Sequence, residues 1–289
     1  MGRPRQLKGL RLLVTGASQG IGKDLVLGAL RRGARVLAVA RSLDLLQELD
    51  DEVEGQGVDL VALAGDVTVP ADRQRMLETA QTRFGGLDVL INNAGIGATG
   101  HFAEAAPNRL RKIMEVNLFG VTEMTRLFLP VLRQGVTPAI VNISSIAGKR
   151  ALPARSEYCA SKFAVQGFSQ ALRAELVKDG IDVLVVCPGL TRTNFSRNMI
   201  EQKAMIRYDH LRGMASWEVA DATLAALEQG RNETCLTPNG NLLVLVNRFF
   251  PAVVNWVARL MVTNLFGREI KARERARYYD QPQPPTPGA

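Results

Sequence analysis

Cysteine is scarce in this chain of 289 residues. The three present, Cys159, Cys187 and Cys235, are odd in number, show no paired spacing and have no histidine pair near them. That argues against a disulfide framework or a zinc site, so no metal is expected, and a reducing, cytoplasmic setting fits. Histidine is rarer still: His101 and His210 lie far apart and read as surface or loop residues rather than ligands. No apolar core follows the basic start Met1-Gly2-Arg3-Pro4-Arg5-Gln6, so secretion is not expected. Nor does any apolar run reach the roughly 20 residues that a transmembrane helix needs.

Positive charge is what the chain has in excess, with a formal net charge of +8. Residues 241–289 hold seven Lys/Arg (Arg248, Arg259, Arg268, Lys271, Arg273, Arg275, Arg277) against three acids (Glu269, Glu274, Asp280), which is +4, half the excess. Such an end suits anionic lipid, an acidic carrier or nucleic acid, or is simply a solvated charged helix. Nucleic acid is least favoured, because no reading motif accompanies the charge.

Leu12-Leu13-Val14 reads as a short buried strand, Thr15-Gly16-Ala17-Ser18-Gln19-Gly20-Ile21-Gly22 as a glycine-rich turn, and residues 24–30 as a helix stopped by Gly33. A second strand, Arg35-Val36-Leu37-Ala38-Val39-Ala40, follows. A turn between strand and helix offers an anion the free N–H groups of a helix N-terminus, and Gly16, Gly20 and Gly22 leave room for a dinucleotide backbone. The second strand ends without the acid that holds an adenosine 2′-hydroxyl and continues into Arg41 and Ser42. A guanidinium there binds a 2′-phosphate through charge-assisted hydrogen bonds, so NADP(H) is the expected coenzyme. The competing reading leaves Arg41 as an ordinary loop cation.

Tyr158-Cys159-Ala160-Ser161-Lys162 places a phenol and an ammonium four residues apart on one helical face. A cation beside a phenol favours the phenolate, which suits acid–base work, although the same spacing also describes a surface pair. Thirteen positions before Tyr158, Ser145 ends the apolar run of Val141-Asn142-Ile143-Ser144-Ser145. A hydroxyl at the end of a buried strand faces a cleft.

These stretches, together with Asn92-Asn93-Ala94-Gly95, closely resemble the classical short-chain dehydrogenase/reductase family over about residues 8–240. The resemblance implies an α/β fold, one doubly wound Rossmann-type parallel sheet of about seven strands with helices on both faces. It places Ser18, Gln19 and Ile21 with the three glycines on the coenzyme, and Asp66 and Val67 beside the adenine. Asn93, Ala94 and Gly95 then lie near the ribose, and Pro188, Gly189, Thr191 and Thr193 at the nicotinamide end. Asn92 is expected to support the sheet. The implied catalytic set is Asn117, Ser145, Tyr158 and Lys162. In the direction of reduction Tyr158 protonates the forming alkoxide and Ser145 bonds the same oxygen. Lys162 lowers the Tyr158 pKa and holds the ribose. Asn117, within a helical run over 110–132, holds a water that links Lys162 to solvent, or is purely structural.

The resemblance implies a NADP-dependent oxidoreductase acting on a carbonyl or secondary alcohol, and a homodimer or homotetramer formed through the long helix and the one carrying Tyr158. Residues 1–240 are expected as the catalytic domain, 241–280 as a helical extension and 281–289 as a disordered Pro-rich tail. Residues 194–216, with Met199, Met205, Tyr208, His210 and Met214 among charges, read as a substrate lid or a flexible surface helix. Residues 241–266 read as one amphipathic helix with Arg248, Asn255 and Arg259 in a polar stripe. Three uses compete for it: a subunit contact, a wall of a greasy pocket, or a peripheral seat on a membrane. The apolar extension favours a free hydrophobic substrate, such as a steroid-like, retinoid-like or long-chain ketone or aldehyde. The alternatives are a 3-oxoacyl thioester on a carrier, and a non-catalytic dinucleotide-binding sensor or scaffold.

Overall fold

The computed structural model describes residues 2–203 and 213–279. Its first compact unit ends at Val244 and its second begins at Leu245. In the first, apolar runs form β1 (Arg11–Thr15), β2 (Arg35–Ala40), β3 (Asp59–Ala64), β4 (Val89–Asn92), β5 (Ala139–Ile143) and β6 (Asp182–Cys187). Two-residue strands β7 (Thr191–Arg192) and β8 (Met214–Ala215) pair with each other, and β9 (Glu233–Cys235) returns to the main sheet. Helices α1 (Gly20–Arg31), α2 (Leu43–Val53), α3 (Pro70–Phe84), α4 (Arg109–Met114), α5 (Gly120–Leu132), α6 (Ser156–Glu175) and α7 (Ser216–Glu228) separate the strands.

The sheet runs β3-β2-β1-β4-β5-β6-β9 with every pairing parallel. Alternate residues of each strand feed opposite faces, and both faces are covered, which is why the strands are apolar almost throughout. Leu12, Val14, Val36 and Ala38 pack with Leu25 of α1, Leu46 of α2 and Leu224 of α7. Leu13, Leu37 and Leu90 pack with Met76 of α3, Phe128 of α5 and Leu172 of α6. After β3 the chain crosses to the far side of β1 to lay down β4. That reversal of strand order opens a crevice at the C-terminal ends of β1 and β4.

The stretch expected as one helix over 110–132 is instead α4, a π-helical turn over Glu115–Phe119, and α5. The wider turn inserts an extra residue per loop of helix and lets Asn117 point inward, where it is fully buried.

The single helix expected over 241–266 is also two: α8 (Pro238–Phe249) and α9 (Pro251–Tyr279). Pro251 has no N–H to continue α8 and suits the first position of α9, so the polar stripe joining Arg248 to Asn255 is interrupted. Among the described residues no single helix is long and apolar enough to cross a membrane. The tail over 281–289, and Met205, Tyr208 and His210 of the expected lid, lie outside the described residues.

Candidate active site

The glycine-rich turn is built by exclusion of side chains. A Cβ on Gly22 would lie 2.0 Å from the Gly16 carbonyl oxygen and 2.6 Å from Asn93 Nδ2, so no other residue fits. Gly16 itself has φ +66° and sits against the Ala94 backbone. Thr15 and Asn93 lock the turn to the end of β4. Asn93 Nδ2 donates to the Thr15 and Gly16 carbonyls at 2.9 and 3.1 Å. The Thr15 hydroxyl accepts from the Asn93 and Ala94 N–H groups, each at 3.0 Å. Behind them Asn92 donates to Asn142 at 2.9 Å and Asn142 to Ser169 at 2.8 Å, a polar chain through the buried sheet into α6.

A single cleft of about 720 Å³ runs along this strand edge. Gly16, Ser18, Gln19, Gly20, Ile21 and Gly22 line one end with Arg41, Ser42, Asp66 and Val67; Asn93, Ala94 and Gly95 line its middle; Pro188, Gly189, Thr191 and Thr193 close the other end. Ser145, Tyr158 and Lys162 face the same space, so every residue expected at the coenzyme borders one cavity. The residues fit a dinucleotide. Gly16 and Gly22 form a cradle that any Cβ would fill, the first turn of α1 holds no acid, and Gln19 caps no N–H there. Arg41 is exposed at the cleft, and among the described residues no carboxylate pairs with it.

Lys162 is buried on α6, and its ammonium donates to the Ile143 carbonyl at 2.9 Å. Burial lowers its pKa to about 8. Its Nζ stands 5.8 Å from the centre of the Tyr158 ring. The protein packed around Tyr158 pushes its phenol upward; a hydrogen bond with Ser145 and the charge of Arg155 oppose that rise. This differs from the expectation that Lys162 does the lowering, because its ammonium is turned to the end of β5. The Ser145 hydroxyl also accepts from the Ala147 N–H at 3.1 Å and donates to the Pro188 carbonyl at 3.4 Å, which ties the loop after β6 to β5.

Asn117 stands outside the cleft lining. Its Nδ2 donates to the Ile96 carbonyl and to Ser161 Oγ, both at 2.9 Å, and its Oδ1 accepts from the Ile96 N–H at 2.8 Å. Both amide hydrogens are therefore held by protein, and only the oxygen's second lone pair is left for the expected water. Sequence reasoning missed Arg155, which borders the cleft, and Phe195, whose ring lies 5.8 Å from that of Tyr158. Phe195 stood in the expected lid without any signal that it turns inward. Glu157, next to Tyr158, was also missed; Arg109 grips it from α4.

The family model described as short chain dehydrogenase matches residues 11–204. The chain is 32% identical over 260 residues to the ketoacyl reductase HetN of Nostoc sp. (strain PCC 7120), covering 88% of this chain and 89% of that protein. A short chain dehydrogenase from Burkholderia cenocepacia J2315, solved in complex with NADP, is similar with a TM-score of 0.75 at 30% identity, over 88% of this chain and 99% of that one. One from Burkholderia phymatum, solved with NAD, has a TM-score of 0.78 at 23% identity, over 86% and 96%, and so speaks to the fold alone.

Proposed function

The chain belongs to the short-chain dehydrogenase family, and from that premise we propose that it is an NADP(H)-dependent oxidoreductase. Its proposed substrate is a hydrophobic small molecule bearing a carbonyl or secondary alcohol. The observation that carries the reading is the convergence of Ser145, Tyr158 and Lys162 on the cleft that the glycine turn opens. Arg41 at the far end, which no carboxylate pairs with among the described residues, supports NADP over NAD.

The bound coenzyme supplies the hydride in reduction and accepts it in oxidation. Ser145 donates a hydrogen bond to the substrate oxygen, stabilising charge that develops there. Tyr158, kept protonated by its surroundings, delivers its phenolic proton to the same oxygen. Lys162 fixes the end of β5 against α6 through Ile143 and presents a positive charge to the cleft floor. Asn117 holds Ile96 and Ser161 in place behind it.

The named activity of the Nostoc relative supports a second reading, reduction of a 3-oxoacyl thioester. NADPH and NADH consumption across ketones, aldehydes, steroids and acyl thioesters separates the two, with Tyr158→Phe as the control. Turnover confined to thioesters favours the second reading; no turnover in either direction with any of them sinks both.

Exposed Phe119 and Phe163 support self-association through the π-turn and α6, as a homodimer or homotetramer. In the second unit Phe249, Phe250, Trp256 and Val257 are exposed near Arg248 and Arg259. That mixture supports peripheral contact with an anionic membrane facing the cytoplasm. Failure of the full chain to float with anionic vesicles excludes it.

A further inference from the structure

Two of the cysteines, 48 positions apart in the sequence, are neighbours in the sheet. Parallel pairing of β6 with β9 puts Val185 opposite Glu233 and Cys187 opposite Cys235. Partners on one rung project from the same face, and neighbouring strands lie about 4.7–4.9 Å apart. A disulfide accepts Cα separations of about 4.4–6.8 Å. The two sulfurs and a Glu233 carboxylate oxygen all lie within 4.8 Å of one another. Cys187 is fully buried, whereas Cys235 is partly exposed.

The surroundings treat the two thiols differently. Gln166 donates to the Glu233 carboxylate at 2.7 Å, and its amide oxygen accepts from the Cys187 thiol at 3.6 Å. Lys149 pairs with the same carboxylate at 2.8 Å. A hydrogen bond between the sulfurs pushes the Cys187 thiol up and pulls the Cys235 thiol down. Cys235 is thus the sulfur that is both reachable and the readier thiolate.

We infer that Cys187 and Cys235 form a redox-responsive pair, a modification site for a hydroperoxide, which closes to a disulfide behind the nicotinamide end of the cleft. The Cys235 thiolate attacks one peroxide oxygen; the O–O bond breaks, hydroxide leaves, and Cys235 becomes a sulfenic acid. Hydroxide takes the Cys187 proton to give water. The Cys187 thiolate then displaces hydroxide from Cys235 as the S–S bond forms, and that hydroxide takes up the proton that Cys235 released on ionising, giving a second water. Two thiols have lost an electron pair to the peroxide, and a dithiol reverses the change.

The rung connects directly to the cleft. Pro188 follows Cys187, and its carbonyl accepts from Ser145 Oγ at 3.4 Å and the Ile146 N–H at 2.9 Å. A Cβ on Gly189 would lie 2.5 Å from Oγ1 of Thr237, two residues beyond Cys235. Bridging requires the Cβ atoms to approach to about 3.5–4.5 Å, which draws both segments together beneath the loop. Oxidation is therefore expected to weaken coenzyme binding at least fivefold, a consequence that rests on the function proposed above.

The test treats the full-length protein with hydrogen peroxide and follows intact mass, free thiols and peptide linkage. The expected result is loss of two hydrogens and of two of the three thiols, a linked peptide joining Cys187 to Cys235, and reversal by dithiothreitol. Cys159, buried against Leu152, remains alkylatable after unfolding and is the internal control. Cys235→Ser abolishes the bridge; Cys235→Ala repeats the test if the serine variant fails to fold. Oxidation of Cys235 to a sulfinic acid without linkage, or a bridge to Cys159 or a second chain, overturns the inference. So does protection of both thiols by zinc ions in protein that peroxide cannot bridge, which would make the cluster a metal site. None of these readouts needs turnover, so an inactive protein that still bridges separates this inference from the proposed function. A bridge that leaves NADPH affinity unchanged overturns the regulatory consequence.

Discussion

Arg109 holds both carboxylate oxygens of Glu157, through Nε and one terminal nitrogen, each at 2.8 Å. Glu157 immediately precedes Tyr158, and Arg109 also reaches Glu201 at 2.9 Å. This bidentate pair, with both side chains almost fully buried, fixes the start of α6 against α4. Removing one partner leaves an uncompensated buried charge, at a cost of about 3–5 kcal/mol. Arg109→Met is therefore expected to lower stability by that amount in urea unfolding and to reduce turnover with it. The double variant Arg109→Met/Glu157→Leu is expected to recover most of the lost stability. Additive losses in the double variant would contradict the pairing.

Tyr158 is expected to carry proton transfer, and Tyr158→Phe to keep coenzyme affinity while turnover falls by about two to four orders of magnitude. The pH dependence has a definite sign. Alcohol oxidation needs the phenolate and rises with pH, whereas ketone reduction needs the phenol and is flat through neutrality, because burial raises the phenol pKa. Arg155 is one of the groups opposing that rise. Arg155→Met thus moves the oxidation profile to higher pH and leaves reduction near neutrality unchanged. A shift to lower pH would remove Arg155 from the electrostatics of the site.

Lys162 should cost the fold stability. Its pKa falls from 10.5 to about 8 on burial, so below pH 8 the folded state carries a charge that the unfolded chain solvates better. Between pH 8 and 10.5 the unfolded state holds more protons than the folded one, and stability rises with pH. The burden at neutral pH is up to ~3 kcal/mol. Lys162→Met is expected to lose activity yet melt several degrees higher at pH 7, at roughly 2–4 °C per kcal/mol. The gap should narrow as the pH approaches 10. A variant that melts lower at pH 7, with a gap insensitive to pH, would refute the burden.

Features set by local pattern were readable in the chain. Short continuous apolar runs marked the strands, the Gly16–Gly22 spacing marked the turn, and Tyr158, Lys162 and Ser145 carried their own signal. What escaped depends on contacts between distant segments. Arg109 stands among Arg111 and Lys112, which are exposed; only the path of α6 makes it a buried anchor. Cys187 and Cys235 become neighbours through a parallel crossover that no spacing encodes. Asn117 was legible through the resemblance as a water-holding or structural residue, but the π-turn that aims it, and its pairing with Ile96 and Ser161, were not. The Tyr158–Lys162 relationship was legible as shared helical face; the capture of the ammonium by Ile143 depends on where β5 ends.

The proposed NADP preference rests on Arg41. A charge-assisted hydrogen bond to a phosphate contributes about 1.5–3 kcal/mol, which is roughly a ten- to hundredfold effect on affinity. The residue is exposed at the glycine-turn end of the cleft, far from Tyr158 in sequence and outside the packed sheet, so its removal disturbs no core contact. Arg41→Ala should weaken NADPH by that factor, leave NADH affinity and melting temperature nearly unchanged, and flatten the salt dependence of NADPH binding, because one ion pair has gone. Fluorescence titration of each coenzyme at two ionic strengths checks all of this. Equal losses for NADPH and NADH would mean that Arg41 shapes the cleft without recognising a 2′-phosphate, and the NADP preference would then need another carrier.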